Sequence, residues 1–209
     1  MSFGNIFILG DSYSTFENYI PEGHACWYFE DIIKDTDVCK VEQTWWMQLI
    51  KKTDSNLVMN NSWSGSTICH TGWQGDNAHN SFITRIDRLI EDGYFDENKI
   101  DTLFIFGGTN DSWCDAPIGQ LVYSDWSKEN LYSVLPAFCY LLKRLKDNLS
   151  NTRIICLINC DLKEEITLGF KSSCENYGVE YLQLKNIEKQ SGHPNISGMT
   201  QICAQIEKI

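Results

Sequence analysis

Phe3-Gly4-Asn5-Ile6-Phe7-Ile8-Leu9-Gly10-Asp11-Ser12 is a short apolar run that stops at a Gly-Asp turn. A run of this length, rich in residues that suit a pleated surface, predicts a buried strand. Segments 57–61, 102–106, 153–158 and 179–184 are predicted as four more strands. Between them apolar residues recur at helical spacing. Val41, Trp45 and Leu49 mark a helix over 41–52, and Phe82, Ile86, Leu89 and Ile90 mark another that closes near Gly93. Leu131, Leu135, Phe138, Leu142 and Leu145 give a long helix with Pro136 as a site for a kink. Residues 163–177 are predicted helical up to Gly178, and 195–207 form the last helix through Ile196, Met199, Ile202 and Ile206. Strand and helix alternate about five times. That pattern predicts an α/β protein, a three-layer α/β/α arrangement around a five-stranded parallel sheet. Residues 13–40 break the rhythm. They carry Tyr13, Phe16, Tyr19, Trp27, Tyr28 and Phe29 without a clean period. The expectation is one domain over 1–209 with a long aromatic-rich insertion at 13–40, and connections of that length are often functional.

Composition narrows the function. The chain has 209 residues, 43 % hydrophobic and 22 % charged, which suits a globular protein and not a disordered one. Seventeen Lys and Arg against 28 Asp and Glu leave a net charge of −11. Nucleic acid and anionic membrane surfaces both call for a basic face, so neither is expected as a partner. No apolar stretch approaches the roughly 20 residues of a spanning helix. The first apolar run follows no basic segment and is too short for a secretion signal, so a cytoplasmic location is expected. The nine cysteines are odd in number and scattered, as small buried hydrophobes in a reducing compartment would be. Cys69-His70 and His79 lack a zinc spacing, Cys156 and Cys160 are not a C-x-x-C pair, and Gly107-Gly108 lacks a dinucleotide-binding context. Neither a metal nor an organic cofactor is expected.

In such a fold, chemistry sits beyond the carboxyl ends of the strands. The first strand runs into Gly10-Asp11-Ser12-Tyr13-Ser14 and the second into Asn61-Ser62-Trp63-Ser64-Gly65-Ser66. The third runs into Gly107-Gly108-Thr109-Asn110-Asp111, and His193-Pro194-Asn195 precedes the last helix. Each block alone is ordinary turn chemistry. The four in this order form a specific pattern.

This order resembles that of the SGNH hydrolases, the GDSL family of esterases and lipases. The matching residues are Gly10-Asp11-Ser12, Gly65, Gly108-Thr109-Asn110-Asp111 and His193-Pro194, and they span nearly the whole chain. The resemblance implies the flavodoxin-like SGNH hydrolase fold and ester hydrolysis. Acyl transfer needs a hydroxyl nucleophile, a base in reach and donors for the oxyanion. Ser12 is the expected nucleophile and His193 the expected base. The Ser12 and Gly65 backbone N–H groups and the Asn110 side-chain amide are the expected oxyanion donors.

The chain departs from the family at one place. The family puts an Asp three residues before the His, and here that position is Gln190. Three outcomes stay open: a Ser–His dyad oriented by a backbone carbonyl or by Gln190, an orienting role for Glu188, or a weakened relative. Asp11, Trp63, Trp73 and Trp113 are expected to line the substrate pocket. Indole faces serve both sugar rings and acyl groups. An acidic chain without a long apolar lid suggests a short acyl group, acetyl foremost, on a saccharide or other small alcohol. The rival is a non-catalytic carbohydrate or small-molecule binder; thioesterase, peptidase or lipase activity would use the same parts.

Overall fold

Five parallel strands form the sheet in a computed structural model that describes residues 2–31 and 33–209. Met1, and Ile32 of the expected 13–40 insertion, lie outside the described residues. The strands are β1 (Asn5–Gly10), β2 (Asn56–Ser62), β3 (Thr102–Phe106), β4 (Arg153–Ile158) and β5 (Glu180–Gln183). They lie in the order β2-β1-β3-β4-β5, the doubly wound arrangement expected from the alternation. Successive side chains leave opposite faces of a strand. Ile6 and Ile8 therefore join one core with Trp45, Trp46 and Met199, while Phe7 and Leu9 join the other with Ile86 and Phe138.

Helices α1 (Trp45–Thr53) and α6 (Ile196–Ile206) cover the first face. Helices α2 (Phe82–Glu91), α4 (Val134–Asn148) and α5 (Glu164–Tyr177) cover the second, and α3 (Thr109–Trp113) is a short turn after β3. Side-chain oxygens start three of them. Thr44 accepts from the Met47 N–H, Ser81 from the Thr84 N–H and Asn195 from the Gly198 N–H.

Two sequence expectations need correction. The long helix begins at Val134, not at Leu131, which lies in a 3-10 turn (Glu129–Tyr132). Pro136 is its third residue and makes no kink, because first-turn N–H groups have no partner inside a helix. The Pro117 and Ile118 carbonyls take the Val134 and Leu135 N–H groups instead.

Register positions the site. Gly10 pairs with Ser62 on one side and Phe106 on the other, so β1, β2 and β3 end level. Their following loops share one edge, at the point where the strand order reverses.

Candidate active site

Ser12 opens a 3-10 turn directly after β1. Asp11 caps that turn: its Oδ1 accepts the Tyr13 N–H at 3.0 Å. Gly10 allows the tight exit, since a Cβ there would lie 2.8 Å from Ser14 Cβ and closer still to the Ser62 hydroxyl. Ser12 is 3 % exposed and His193 6 %. Their side chains meet, Ser12 Oγ lying 2.9 Å from His193 Nε2. His193 Nδ1 lies 3.1 Å from the Ser191 carbonyl oxygen. A carbonyl only accepts, so Nδ1 carries the proton and Nε2 is left free to accept from the Ser12 hydroxyl. Trp27 stacks on the imidazole with ring centroids 3.6 Å apart and planes within 8°. Tyr13 and Trp113 meet it edge-on. Burial pulls the His193 pKa down to about 4, the Lys189 ammonium works in the same direction, and the Ser191 carbonyl offsets part of the shift.

Asn110 is in the first turn of α3. Its Nδ2 donates to the Ser66 carbonyl at 3.0 Å, and its Oδ1 accepts the Trp73 indole N–H at 3.3 Å. Asp111 grips the same loop by accepting the Ile68 and Cys69 N–H groups. Gly65 turns that loop at φ +82°, in the region that favours glycine. Among the described residues, the Ser12 and Gly65 N–H groups find no acceptor within the protein. Both are available to a ligand.

Beneath these loops is Arg85, buried, with all five N–H groups satisfied. Nε donates to Asn80 O, Nη1 to Asn61 O and Oδ1, and Nη2 to Gly10 O and Ser66 Oγ. It ties the ends of β1 and β2 to the Gly65 loop. Burial pushes the Asp11 carboxyl up to about 7 and the Asp111 carboxyl up to about 6; their backbone N–H partners offset part of each shift.

Ser12, Gly65, Asn110 and His193 thus come from four separate loops at one sheet edge. Three other expectations are corrected. Asp11 does not line a pocket: it is fully buried, spent on the cap, with Oδ2 unpartnered. The Gln190 amide donates to Asp35 Oδ1 at 2.7 Å, and Glu188 accepts from the Gln201 amide at 2.8 Å. Neither partner is His193, whose Nδ1 faces a backbone carbonyl. Trp113 lies beside His193 and Trp73 beside Asn110, the latter 56 % exposed. Trp63 packs between His24 and His79. Among the described residues no group of three or more His, Cys, Asp or Glu could hold a metal, and no helix is long and apolar enough to cross a membrane.

Sequence reasoning missed Trp27, Asp35 and Arg85 as site residues. Arg85 had a signal: it falls on the apolar stripe of α2, three residues after Phe82 and four before Leu89. Trp27 and Asp35 sit in the 13–40 connection, which its length and aromatics marked as functional, but nothing in the sequence singled out either residue.

The GDSL-like lipase/acylhydrolase family model matches residues 4–209. A putative GDSL-like lipase from Bacteroides ovatus is 44 % identical, with a TM-score of 0.92 over 100 % of this chain and 98 % of its own. One from Bacteroides uniformis is also 44 % identical, with a TM-score of 0.90 over 98 % and 94 %. An acetyl xylan esterase from Butyrivibrio proteoclasticus shares the fold at 18 % identity and TM-score 0.61, over 100 % of this chain and 63 % of its own. Among curated proteins, none is matched. With the model matching almost end to end, this chain belongs to the GDSL-like lipase/acylhydrolase family of ester hydrolases.

Proposed function

We propose that the chain hydrolyses short acyl esters, acetyl foremost, of carbohydrates or other small alcohols, with Ser12 as nucleophile and His193 as base. The observation that carries this reading is the 2.9 Å hydrogen bond between Ser12 Oγ and His193 Nε2. As Oγ attacks the ester carbonyl, Nε2 takes its proton, a transfer worth typically ~10²- to 10⁴-fold in rate. The new oxyanion receives the Ser12 and Gly65 N–H groups and the second hydrogen of Asn110 Nδ2. His193 then returns the proton to the leaving alkoxide, and water releases the acyl group by the same steps in reverse roles. The Nδ1–H of the transient imidazolium points at the Ser191 carbonyl, and its face lies on Trp27.

Support for a sugar alcohol comes from Trp113 and Trp73, part-exposed on either side of the site, since indole faces stack on sugar rings. A binding relative that turns nothing over is the second reading, favoured by the lack of a carboxylate on His193 Nδ1. Reaction with a fluorophosphonate separates the two. The expected product is one Ser12 Oγ–P bond with loss of fluoride, abolished by His193→Ala. An unlabelled protein, or label elsewhere, would contradict the assignment.

A further inference from the structure

His193 begins the second arm of a two-residue hairpin in which Gln190 pairs with His193. Its turn residues, Ser191 and Gly192, both have positive φ, +47° and +77°. That is the pattern of a type I′ turn, which favours Gly, Asn or Asp at both positions. Ser191 is none of these, so its backbone must be held there by other contacts. Its carbonyl is the group that accepts the His193 Nδ1–H.

The holding contacts come from the connection after β1. Asp35 accepts the Gln190 amide N–H through Oδ1 at 2.7 Å and the Ser191 hydroxyl through Oδ2. Asp37 accepts the Ile196 N–H at 2.9 Å, and the Tyr28 hydroxyl donates to the Pro194 carbonyl at 2.8 Å. Trp27 covers one face of the imidazole. Its π-face fixes the ring plane and attracts the positive charge that appears when His193 takes a proton. The segment thus holds the His193 loop on both sides of the histidine.

We infer that Trp27 and Asp35 are the positioning residues of His193, doing from the loop after β1 what a carboxylate at position 190 would do. Asp35 acts through the Ser191 turn and Trp27 through the ring face. This inference rests on the Ser12–His193 reading above. Asp35 is exposed, so its effect is geometric more than electrostatic.

The test uses the full chain and p-nitrophenyl acetate, with Trp27→Leu, Trp27→Phe, Asp35→Ala and Asp35→Asn. Trp27→Leu and Asp35→Ala are expected to lower kcat by about 10-fold with KM nearly unchanged, since misplacing a catalytic group costs turnover more than binding. Trp27→Phe and Asp35→Asn, which keep a π-face and one acceptor, are expected to recover most of it. The ¹⁵N spectrum of the His193 ring, identified by its loss in His193→Gln, reads the orientation directly. It should show the Nδ1–H tautomer in the wild type and a tautomer mixture in Asp35→Ala. Unchanged kcat and an unchanged tautomer in Asp35→Ala and Trp27→Leu would overturn the inference and leave Ser191 as sole orienter. A wild type without turnover would count against the Ser12 reading, and the tautomer spectra would still decide the roles of Asp35 and Trp27. Should Trp27→Leu fail to fold, Trp27→Phe and the Asp35 pair carry the test.

Discussion

At the scale of single residues, the site is built from groups whose charge is suppressed. A general base works only while neutral. Burial holds the His193 pKa near 4, so His193 stays neutral well below the usual imidazole range. The acid limb of kcat/KM is therefore expected near pH 4 instead of pH 6–7. An acid limb at an ordinary histidine value would show that the imidazole is more hydrated in solution than in this structure. Asp11 has the opposite sign. Its folded pKa, about 7, lies above that of an unfolded Asp, so the folded state holds a proton that the unfolded state has lost. Stability tied to Asp11 is fully present below about pH 4 and is lost as pH rises from there through about 7. Asp11→Asn, which keeps the acceptor for the Tyr13 N–H, should match the wild-type Tm near pH 3, below the unfolded carboxyl's range, and exceed it at pH 9. An equal Tm difference at both values would refute a titrating Asp11. None of this was legible in the sequence. Gly10-Asp11-Ser12 marked the place of the proposed nucleophile, but the Asp11 side chain could be assigned to cap or to pocket only once its N–H partner was known.

At the scale of elements, three strand-end loops hold the site and one helix residue binds two of them. Arg85 projects from α2 and satisfies backbone carbonyls at Gly10, Asn61 and Asn80. Arg85→Met takes the guanidinium donors from all three carbonyls; Gly10 O keeps the Trp63 N–H, and each carbonyl left unsatisfied costs ~1–3 kcal/mol. Urea unfolding should show a loss above about 3 kcal/mol. A loss below about 1 kcal/mol would mean that water replaces the guanidinium. The strands and most helices could be read from the sequence because their apolar periods are strong: β3 and β4 coincide with the predicted 102–106 and 153–158. The start of α4 could not be, because the carbonyls that receive its first N–H groups belong to Pro117 and Ile118 in a preceding loop. For His193 a backbone carbonyl was among the expected partners, but that it belongs to Ser191 was hidden, because it depends on the turn geometry, which residue type alone does not report.

At the scale of the whole molecule, the 2-1-3-4-5 strand order brings Ser12 and Asn110 to the switch point, and the connection between β5 and α6 returns His193 to the same edge. The 13–40 connection folds against this edge: Tyr13, Phe16 and Tyr28 enter the core, while Trp27 reaches the histidine. That arrangement sets the proposed nucleophile Ser12 beside a histidine flanked by Trp27, Tyr13 and Trp113. The most direct test of the central claim is hydrolysis of p-nitrophenyl esters, acetyl through decanoyl, by wild type and by Ser12→Ala. The expected result is turnover greatest for acetyl, falling with chain length, and lost in Ser12→Ala by at least ~10³-fold. Turnover that survives in Ser12→Ala would contradict the nucleophile, and a preference for decanoyl would contradict the short-acyl substrate.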